Sequence, residues 1–218
     1  MKTVLITGIS RGIGKALAQK FLSEGYFVLG TSTKGKTSLD HQNLTILKLD
    51  LTDSESIENC ANEIINFKKP IDILINNAGT WLPEDKDPKK NISALRKVLE
   101  TNLIGPIDFT ERIIPLLNLN AHVVNISSRQ GSLSYPPGTS SPSYKISKAG
   151  LNMFTRILSY QLKGKATVSS VHPGAVMTDM ALPGADMSPE EAALYIYDLA
   201  ISKPETGQFW FKGEKFPW

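Results

Sequence analysis

Tyr144 and Lys148 are four residues apart in a segment whose pattern predicts the start of a helix. Side chains at positions i and i+4 lie on one face of a helix, so the phenol and the ammonium would be neighbours. A nearby cation favours the phenolate and would lower the tyrosine pKa from its ordinary value of ~10. The pair could then give and take a proton. The same spacing is common by chance, and two residues on a half-exposed helix face would explain it more simply.

A glycine-rich turn, which runs from Gly8 through Gly12 to Gly14, follows the first predicted strand and begins the first predicted helix. Such glycines allow a tight turn and a close approach to a pyrophosphate, and unpaired N–H groups at the helix start bind anions. The spacing G-x-x-x-G-x-G differs from the commoner motif, and a plain strand-to-helix turn is the alternative. Its position at the first βα junction favours a dinucleotide site.

The end of the second predicted strand indicates which dinucleotide is bound. NAD sites usually carry a carboxylate there, which holds the ribose 2′-hydroxyl, but this chain has no acid between the start of that strand and Asp40. A 2′-phosphate would instead be attracted by cations and hydroxyls. The candidates are Arg11, Ser32, Thr33 and Lys34. The pattern favours NADP(H) over NAD(H), although Arg11 and Lys34 could also be ordinary surface cations.

Short apolar runs alternate with longer helical patterns, which predicts βαβ units and a parallel sheet. Because the strands are rich in Val, Ile and Leu, we expect both faces of the sheet to be covered. The predicted strands are Thr3–Thr7, Phe27–Thr31, Leu44–Leu49, Ile71–Asn76, His122–Ser127, Ala166–Val171 and Gln208–Phe211. The predicted helices lie near Gly12–Glu24, Ser54–Phe67, Ala94–Leu117, Ser143–Leu162 and Pro189–Ile201. Residues 1–218 are therefore predicted to form a single Rossmann-type, doubly wound α/β domain, with a seven-stranded, mostly parallel sheet and helices on both faces.

The composition argues against several classes of partner. The formal net charge is +3 and there is no basic run, which makes nucleic acid a poor partner. No apolar run reaches the ~20 residues that span a bilayer, so we expect no membrane association. The single Cys60 suits a reducing cytoplasm and a packing role. We expect no metal site.

Six motifs occur in the order found in the short-chain dehydrogenase/reductase family, and the chain resembles that family along its whole length. They are Thr7-Gly8-x-x-x-Gly12-Ile-Gly14, Asn76-Asn-Ala-Gly79, Asn102, Asn125-Ile-Ser-Ser128, Tyr144-x-x-x-Lys148 and Pro173-Gly174-x-Val176-x-Thr178. The finer resemblance is to carbonyl-reductase-like and C-factor-like members. It rests on the short segment after the Pro-Gly motif and on the ending Gly207–Trp218.

The resemblance implies four catalytic residues. Tyr144 would be the acid/base, and Lys148 would bind the nicotinamide ribose and lower the tyrosine pKa. Ser128 would orient the substrate carbonyl, with the adjacent Ser127 as the competing assignment. Asn102 would hold a water molecule for a proton relay.

Further cofactor and substrate contacts follow from matching positions. The glycine turn would bind phosphate through Gly8, Ser10, Arg11, Gly12, Ile13 and Gly14. Other cofactor contacts implied by the resemblance are Asp50, Leu51, Asn77, Ala78, Gly79, Pro173, Gly174, Val176 and Thr178. Candidate substrate-pocket residues are Trp81, Arg129, Tyr135 and Met180. The stretch Asp179–Ser188 is short for a closing lid, which predicts an open pocket for small or varied carbonyl compounds.

The leading functional hypothesis is an NADPH-dependent reduction of an aldehyde or ketone, or the reverse reaction. Among enzyme activities, the alternative is that of a 3-oxoacyl-carrier-protein reductase. An NADP-sensing regulatory or signalling protein without turnover is the alternative from another class. A homo-oligomer, either a dimer or a tetramer, and a monomer are both compatible with the sequence.

Overall fold

The fold was analysed in a computed structural model that describes residues 1–85, 91–136, 138–180 and 184–218. Its strands are β1 (Thr3–Ile6), β2 (Phe27–Ser32), β3 (Leu44–Lys48), β4 (Ile71–Asn76), β5 (Leu117–Ile126), β6 (Ala166–Val171), β7 (Gln208–Phe211) and β8 (Glu214–Lys215). Its α-helices are α1 (Gly12–Ser23), α2 (Ser54–Asn66), α3 (Ile92–Leu99), α4 (Gly105–Ile113), α5 (Pro142–Gln161) and α6 (Pro189–Ile201). Parts of the loops Trp81–Lys90, Gly131–Pro142 and Met180–Met187 lie outside the described residues.

The eight strands form one sheet in the order β3-β2-β1-β4-β5-β6-β7-β8. Strands β1 to β7 are parallel to their neighbours, and β8 pairs antiparallel with β7. The mostly parallel sheet and the seven predicted strands are confirmed. The described residues add an eighth strand, β8, which has two exposed residues and no apolar run that would indicate a strand.

Both faces of the sheet are covered by helices, as the apolar strands predicted. Neighbouring residues of a strand point to opposite faces. Ile6 packs in a cluster with α1 and α6, whereas Leu5 packs with α2, α4 and α5. Cys60 lies in the second cluster as a buried, free thiol. The chain order of the strands reverses between β1 and β4, and in such sheets ligands bind at the carboxyl ends beside this reversal.

The long helix expected near Ala94–Leu117 is interrupted. A π-helical turn, Glu100–Ile104, separates α3 from α4, and the short 3₁₀ turn Ile114–Leu116 leads directly into β5. Pro106 has no N–H group to donate to the carbonyl oxygen of Asn102, so the regular α-helical ladder cannot continue there. Turns of this kind frequently occur at functional sites. Strand β5 consequently begins five residues earlier than predicted.

None of the helices in the described part of the chain combines the length and the apolar character needed to cross a bilayer.

Candidate active site

The turn between β1 and α1 is shaped by its glycines. Gly8 and Gly12 have φ angles of 75° and 55°, which side chains disfavour. A Cβ atom on Gly14 would lie 2.2 Å from the carbonyl oxygen of Gly8, so a larger residue would push α1 away from the turn. Arg11 provides no side-chain cap for α1. The first N–H groups of the helix are therefore available to an anion.

A cavity of about 590 Å³ lies along the carboxyl ends of the strands. Its size falls in the range of small-molecule and cofactor sites. It brings together most of the cofactor residues proposed from the sequence. The predicted residues that line it are Gly8, Ser10, Arg11, Gly12, Ile13, Gly14, Ser32, Thr33, Asp50, Leu51, Asn77, Ala78, Gly79, Tyr144, Lys148, Pro173, Thr178 and Met180.

Three predicted cofactor residues do not line this cavity. Lys34 is exposed one residue beyond the lining residue Thr33. Gly174 donates its N–H group to Nδ1 of His172 at 3.2 Å. Val176 is buried and forms an isolated bridge with Met187. Gly174 and Val176 therefore make contacts within the loop that follows β6, and they do not face the cavity.

Asp50 provides an ionised acceptor at the cavity wall. Its carboxylate accepts hydrogen bonds from the backbone N–H and the hydroxyl of Thr52, at 2.9 and 2.7 Å. These bonds hold the pKa of Asp50 below its ordinary value. The cofactor contact that the resemblance implies for Asp50 stays a prediction.

Helix α5 places Tyr144 and Lys148 on one face, as the spacing predicted. Its N-terminal residue is Pro142, and proline is favoured in the first turn because no N–H partner is lost there. The Lys148 ammonium lies 5.6 Å from the centre of the Tyr144 ring and donates to the Ile126 carbonyl oxygen at 2.8 Å. Lys148 is buried, which lowers its pKa to about 8.

The expected effect of Lys148 on the pKa of Tyr144 is not found. Burial disfavours the phenolate and raises the pKa of Tyr144, and a hydrogen bond with Ser128 offsets this only in part. The prediction of a lowered pKa was therefore wrong for the protein by itself. The phenol therefore keeps its proton at neutral pH, but the raised pKa by itself makes that proton harder to transfer.

The two neighbouring serines make different contacts. Ser127 lines the cavity, but its hydroxyl donates to the backbone carbonyl of Lys148 at 3.3 Å. Ser128 is absent from the lining, and its hydroxyl accepts a hydrogen bond from the Gln130 N–H group at 3.2 Å. The Ser128 hydroxyl lowers the pKa of Tyr144, which favours Ser128 over Ser127 as the partner of Tyr144.

Asn102 lies in the π-helical turn and is 1% exposed. Its Oδ1 atom accepts from the Thr80 N–H group at 2.7 Å. Its Nδ2 atom donates to the Thr80 carbonyl at 2.8 Å and to the Ser147 hydroxyl at 3.1 Å. Asn102 thus joins the segment after β4 to α5, outside the cavity lining. Its role in a water relay stays a prediction.

Three of the four candidate substrate residues do not line the cavity. Met180 does. Trp81 donates its indole N–H to the Ser141 hydroxyl at 2.8 Å. The Arg129 guanidinium lies 5.2 Å from the centre of the Tyr135 ring, in the loop that follows β5.

Several lining residues were missed by the sequence analysis. Lys97 and Thr101 come from α3 and the π-helical turn, and no local motif marks them. Asp179 follows the matched Thr178 directly and contacts the Arg11 guanidinium across the cavity. Because Asp179 lies next to the matched Pro173–Thr178 motif, the sequence could have indicated that it lines the cavity. The others are Thr31, Leu49, Thr52, Thr80, Ile126, Met177 and Pro189.

Residues 2–187 match the family model described as short chain dehydrogenase. The chain belongs to this family. A 1-hydroxy-2-glutathionyl-2-methyl-3-butene dehydrogenase from Rhodococcus sp. (strain AD45) is 32% identical over 218 residues, covering 96% of each chain. A 3-amino-tetrahydro-pyrrolizinone reductase from Xenorhabdus hominickii is 33% identical over 182 residues, covering 81% of this chain but 62% of that protein.

Two solved structures extend the comparison to the whole fold. One is a family member from Burkholderia multivorans with bound NADP. It is 28% identical with a TM-score of 0.91, covering 100% of this chain and 99% of that chain. The other is the carbonyl reductase Sniffer of D. melanogaster, which is 25% identical with a TM-score of 0.88 over 100% of both chains. The family is one of oxidoreductases, and the NADP-bound neighbour supports a nicotinamide cofactor here.

The residues present fit such a cofactor. The first turn of α1 has no acidic residue and can accept a pyrophosphate. Asp50 lies on the same cavity wall, and Tyr144 and Lys148 line the cavity as well. The close packing of α1 on this turn requires glycine at position 14, because a Cβ atom there would collide with the Gly8 carbonyl.

Proposed function

We propose that this short-chain dehydrogenase is an NADPH-dependent oxidoreductase that reduces an aldehyde or ketone to an alcohol. The observation that carries the proposal is the placement of Tyr144 and Lys148 on one face of α5, where both line the cavity. The likeness to a carbonyl reductase and to an NADP-bound structure supports it. A cytoplasmic location is part of the proposal, and the free thiol of Cys60 agrees with it.

The nicotinamide cofactor supplies the hydride when it is bound. The Ser128 hydroxyl would donate a hydrogen bond to the substrate carbonyl oxygen and stabilise the negative charge that develops on it. The Tyr144 phenol would give its proton to the same oxygen as the alcohol forms. Lys148, fixed through the Ile126 carbonyl, would bind the nicotinamide ribose with its ammonium on the same face of α5 as the phenol.

The preference for NADPH rests on the edge of the cavity at the end of β2. Ser32 and Thr33 line it there, and Arg11 lines it from the glycine turn. The Ser32 hydroxyl donates to the Lys36 carbonyl oxygen at 2.9 Å, so the Thr33 hydroxyl and the Arg11 guanidinium are the groups that can bind a 2′-phosphate. The absence of a carboxylate at the end of β2 removes the usual partner of the free 2′-hydroxyl.

The test measures NADPH oxidation with a panel of aldehydes, ketones and a 3-oxoacyl thioester. The decisive variant is Tyr144→Phe. We expect it to lower kcat by at least ~10²-fold, as for other positioned proton donors, while NADPH binding persists. Tyr160→Phe is the matched control, because Tyr160 is an exposed tyrosine on the same helix. We expect Ser128→Ala to reduce turnover more than Ser127→Ala.

Each contrary result points to another function. Turnover of the 3-oxoacyl thioester alone would identify a 3-oxoacyl-carrier-protein reductase. Binding of NADPH without turnover in either the wild type or Tyr144→Phe would indicate a sensing protein. Full turnover in Tyr144→Phe would remove Tyr144 as the proton donor.

A further inference from the structure

Asp85 is a buried carboxylate outside the cavity lining. It lies in the segment after β4 and is 1% exposed. Its Oδ2 atom accepts from the Ser143 N–H group at 2.9 Å, and its Oδ1 atom accepts from the Ser143 hydroxyl at 2.6 Å. Ser143 is the second residue of α5 and directly precedes Tyr144. A side chain 58 residues away in the sequence therefore caps the helix that carries the candidate acid.

This arrangement replaces an ordinary local cap. The residue before α5, Ser141, has left-handed φ and ψ angles of 52° and 49° and makes no side-chain cap. Its hydroxyl accepts from Trp81 instead. A carboxylate at a helix N-terminus is stabilised by unpaired N–H groups and by the helix dipole. Because burying an unpaired carboxylate is costly, the two contacts with Ser143 help to hold Asp85 in place.

The segment from Thr80 to Asp85 is connected to the start of α5 by hydrogen bonds that involve three serines. The Asp85 carbonyl oxygen accepts from the Ser141 N–H group at 3.1 Å. The carboxylate holds Ser143, and Asn102 links Thr80 to Ser147. Tyr144 lies between these attachment points. A cap from the residue next to the helix would stabilise α5 without fixing its position. A cap from the segment after β4 also fixes the start of α5 relative to β4.

We propose that Asp85 is a positioning residue that fixes the Tyr144 phenol by capping α5 from the segment after β4. The inference rests on the proposed role of Tyr144 as proton donor. Removing the cap would let the first turn of α5 shift while the cofactor cradle stays intact. Displacement of a catalytic group by about 1 Å can cost ~10²-fold in rate.

The experiment compares Asp85→Ala with Asp85→Asn. We expect Asp85→Ala to lower kcat at least about tenfold while KM for NADPH changes less than about twofold. Asparagine keeps an oxygen for the Ser143 N–H group and an amide for its hydroxyl, so Asp85→Asn should retain most of kcat. Ser143→Ala, which loses one of the two bonds, should be intermediate. The matched control is Asp53→Ala, because Asp53 caps α2 through the Glu55 N–H group and should affect only the Tm.

Hydrogen exchange of peptides covering residues 142–148 provides a readout that does not depend on turnover. We expect faster exchange there in Asp85→Ala than in the wild type or in Asp53→Ala. Unchanged exchange, a kcat within twofold of the wild type in Asp85→Ala, or an Asp85→Asn variant no better than Asp85→Ala would overturn the inference. If Asp85→Ala does not fold, a wild-type kcat in Ser143→Ala overturns it. A wild type without turnover contradicts the proposed function, and exchange alone then decides the role of Asp85.

Discussion

At the scale of single residues, Arg11 and Lys34 are the two cations that could contact a 2′-phosphate, and they occupy different positions. Arg11 lines the cavity and contacts the Asp179 carboxylate. Lys34 is exposed and outside the lining. A 2′-phosphate would therefore compete with Asp179 for the Arg11 guanidinium. The two cations are not equivalent, although the sequence alone gave no reason to separate them.

We expect Arg11→Ala to raise KM for NADPH about tenfold, since a lost charge-assisted hydrogen bond costs ~1.5–3 kcal/mol. KM for NADH should change much less, because NADH has no 2′-phosphate. Lys34→Ala is the comparison variant, with a smaller expected effect on KM for NADPH. Steady-state kinetics with both cofactors measures the ratio. An equal loss with NADPH and NADH in Arg11→Ala would contradict a 2′-phosphate role.

At the scale of elements, the segment Phe216–Trp218 holds the loop that follows β5. The Trp218 ring stacks on Phe209 of β7 with ring centres 5.5 Å apart. The Trp218 carbonyl oxygen accepts from the Ser134 N–H group at 3.0 Å, and the Pro217 carbonyl oxygen accepts from the Ser132 hydroxyl at 2.9 Å. This loop begins directly after Ser128. The finer family resemblance rests in part on the ending Gly207–Trp218. This ending is thus attached to the loop after β5, which carries the candidate substrate residues Arg129 and Tyr135.

Replacing Trp218 with Ala should loosen this loop, because the stacking that anchors the segment is lost. We expect kcat/KM for the carbonyl substrate to fall by up to about tenfold, with KM for NADPH little changed. Lys215→Ala is a suitable control, since Lys215 lies in β8 and contacts Glu205, away from the loop. Parallel losses with substrate and cofactor in Trp218→Ala would indicate general destabilisation instead.

At the scale of the whole molecule, two buried histidines link stability to pH. His122 is bonded to the Ala200 carbonyl and the Ser169 hydroxyl, at 3.1 and 2.9 Å. His172 stacks on Phe211 with ring centres 4.7 Å apart. Burial lowers the pKa of each to about 4, and the positive charge of Arg129 contributes for His172. In the unfolded chain both would titrate near their ordinary value of ~6.5.

Between pH 6.5 and pH 4 the unfolded state binds more protons than the folded state. The free energy of unfolding should therefore fall as the pH drops through this range, by roughly 3 kcal/mol for each histidine. Urea denaturation at pH 7 and pH 4.5 measures the fall. We expect His122→Asn to reduce the difference between the two pH values, and the exposed His41→Asn is the matched control. An unchanged difference in His122→Asn would exclude His122 as a source.

The features that depend on local pattern could be predicted from the amino-acid sequence alone. Periodic apolar runs predicted seven of the eight strands, and the spacing of glycines and of Tyr144 and Lys148 predicted the cavity wall and the shared helix face. Such features are encoded within a few residues, where propensity and periodicity act directly. The two-residue β8 and the π-helical turn carry no such signal.

Three features depend on the folded chain: the pKa of Tyr144, the different positions of Arg11 and Lys34, and the cap that Asp85 provides for α5. These depend on burial and on contacts between residues far apart in the chain, such as the 58 residues from Asp85 to Ser143. A single sequence contains both partners of such a contact, but their separation along the chain does not indicate that they meet. The fold brings them together because packing β4 against its neighbours fixes where the segment after it meets α5.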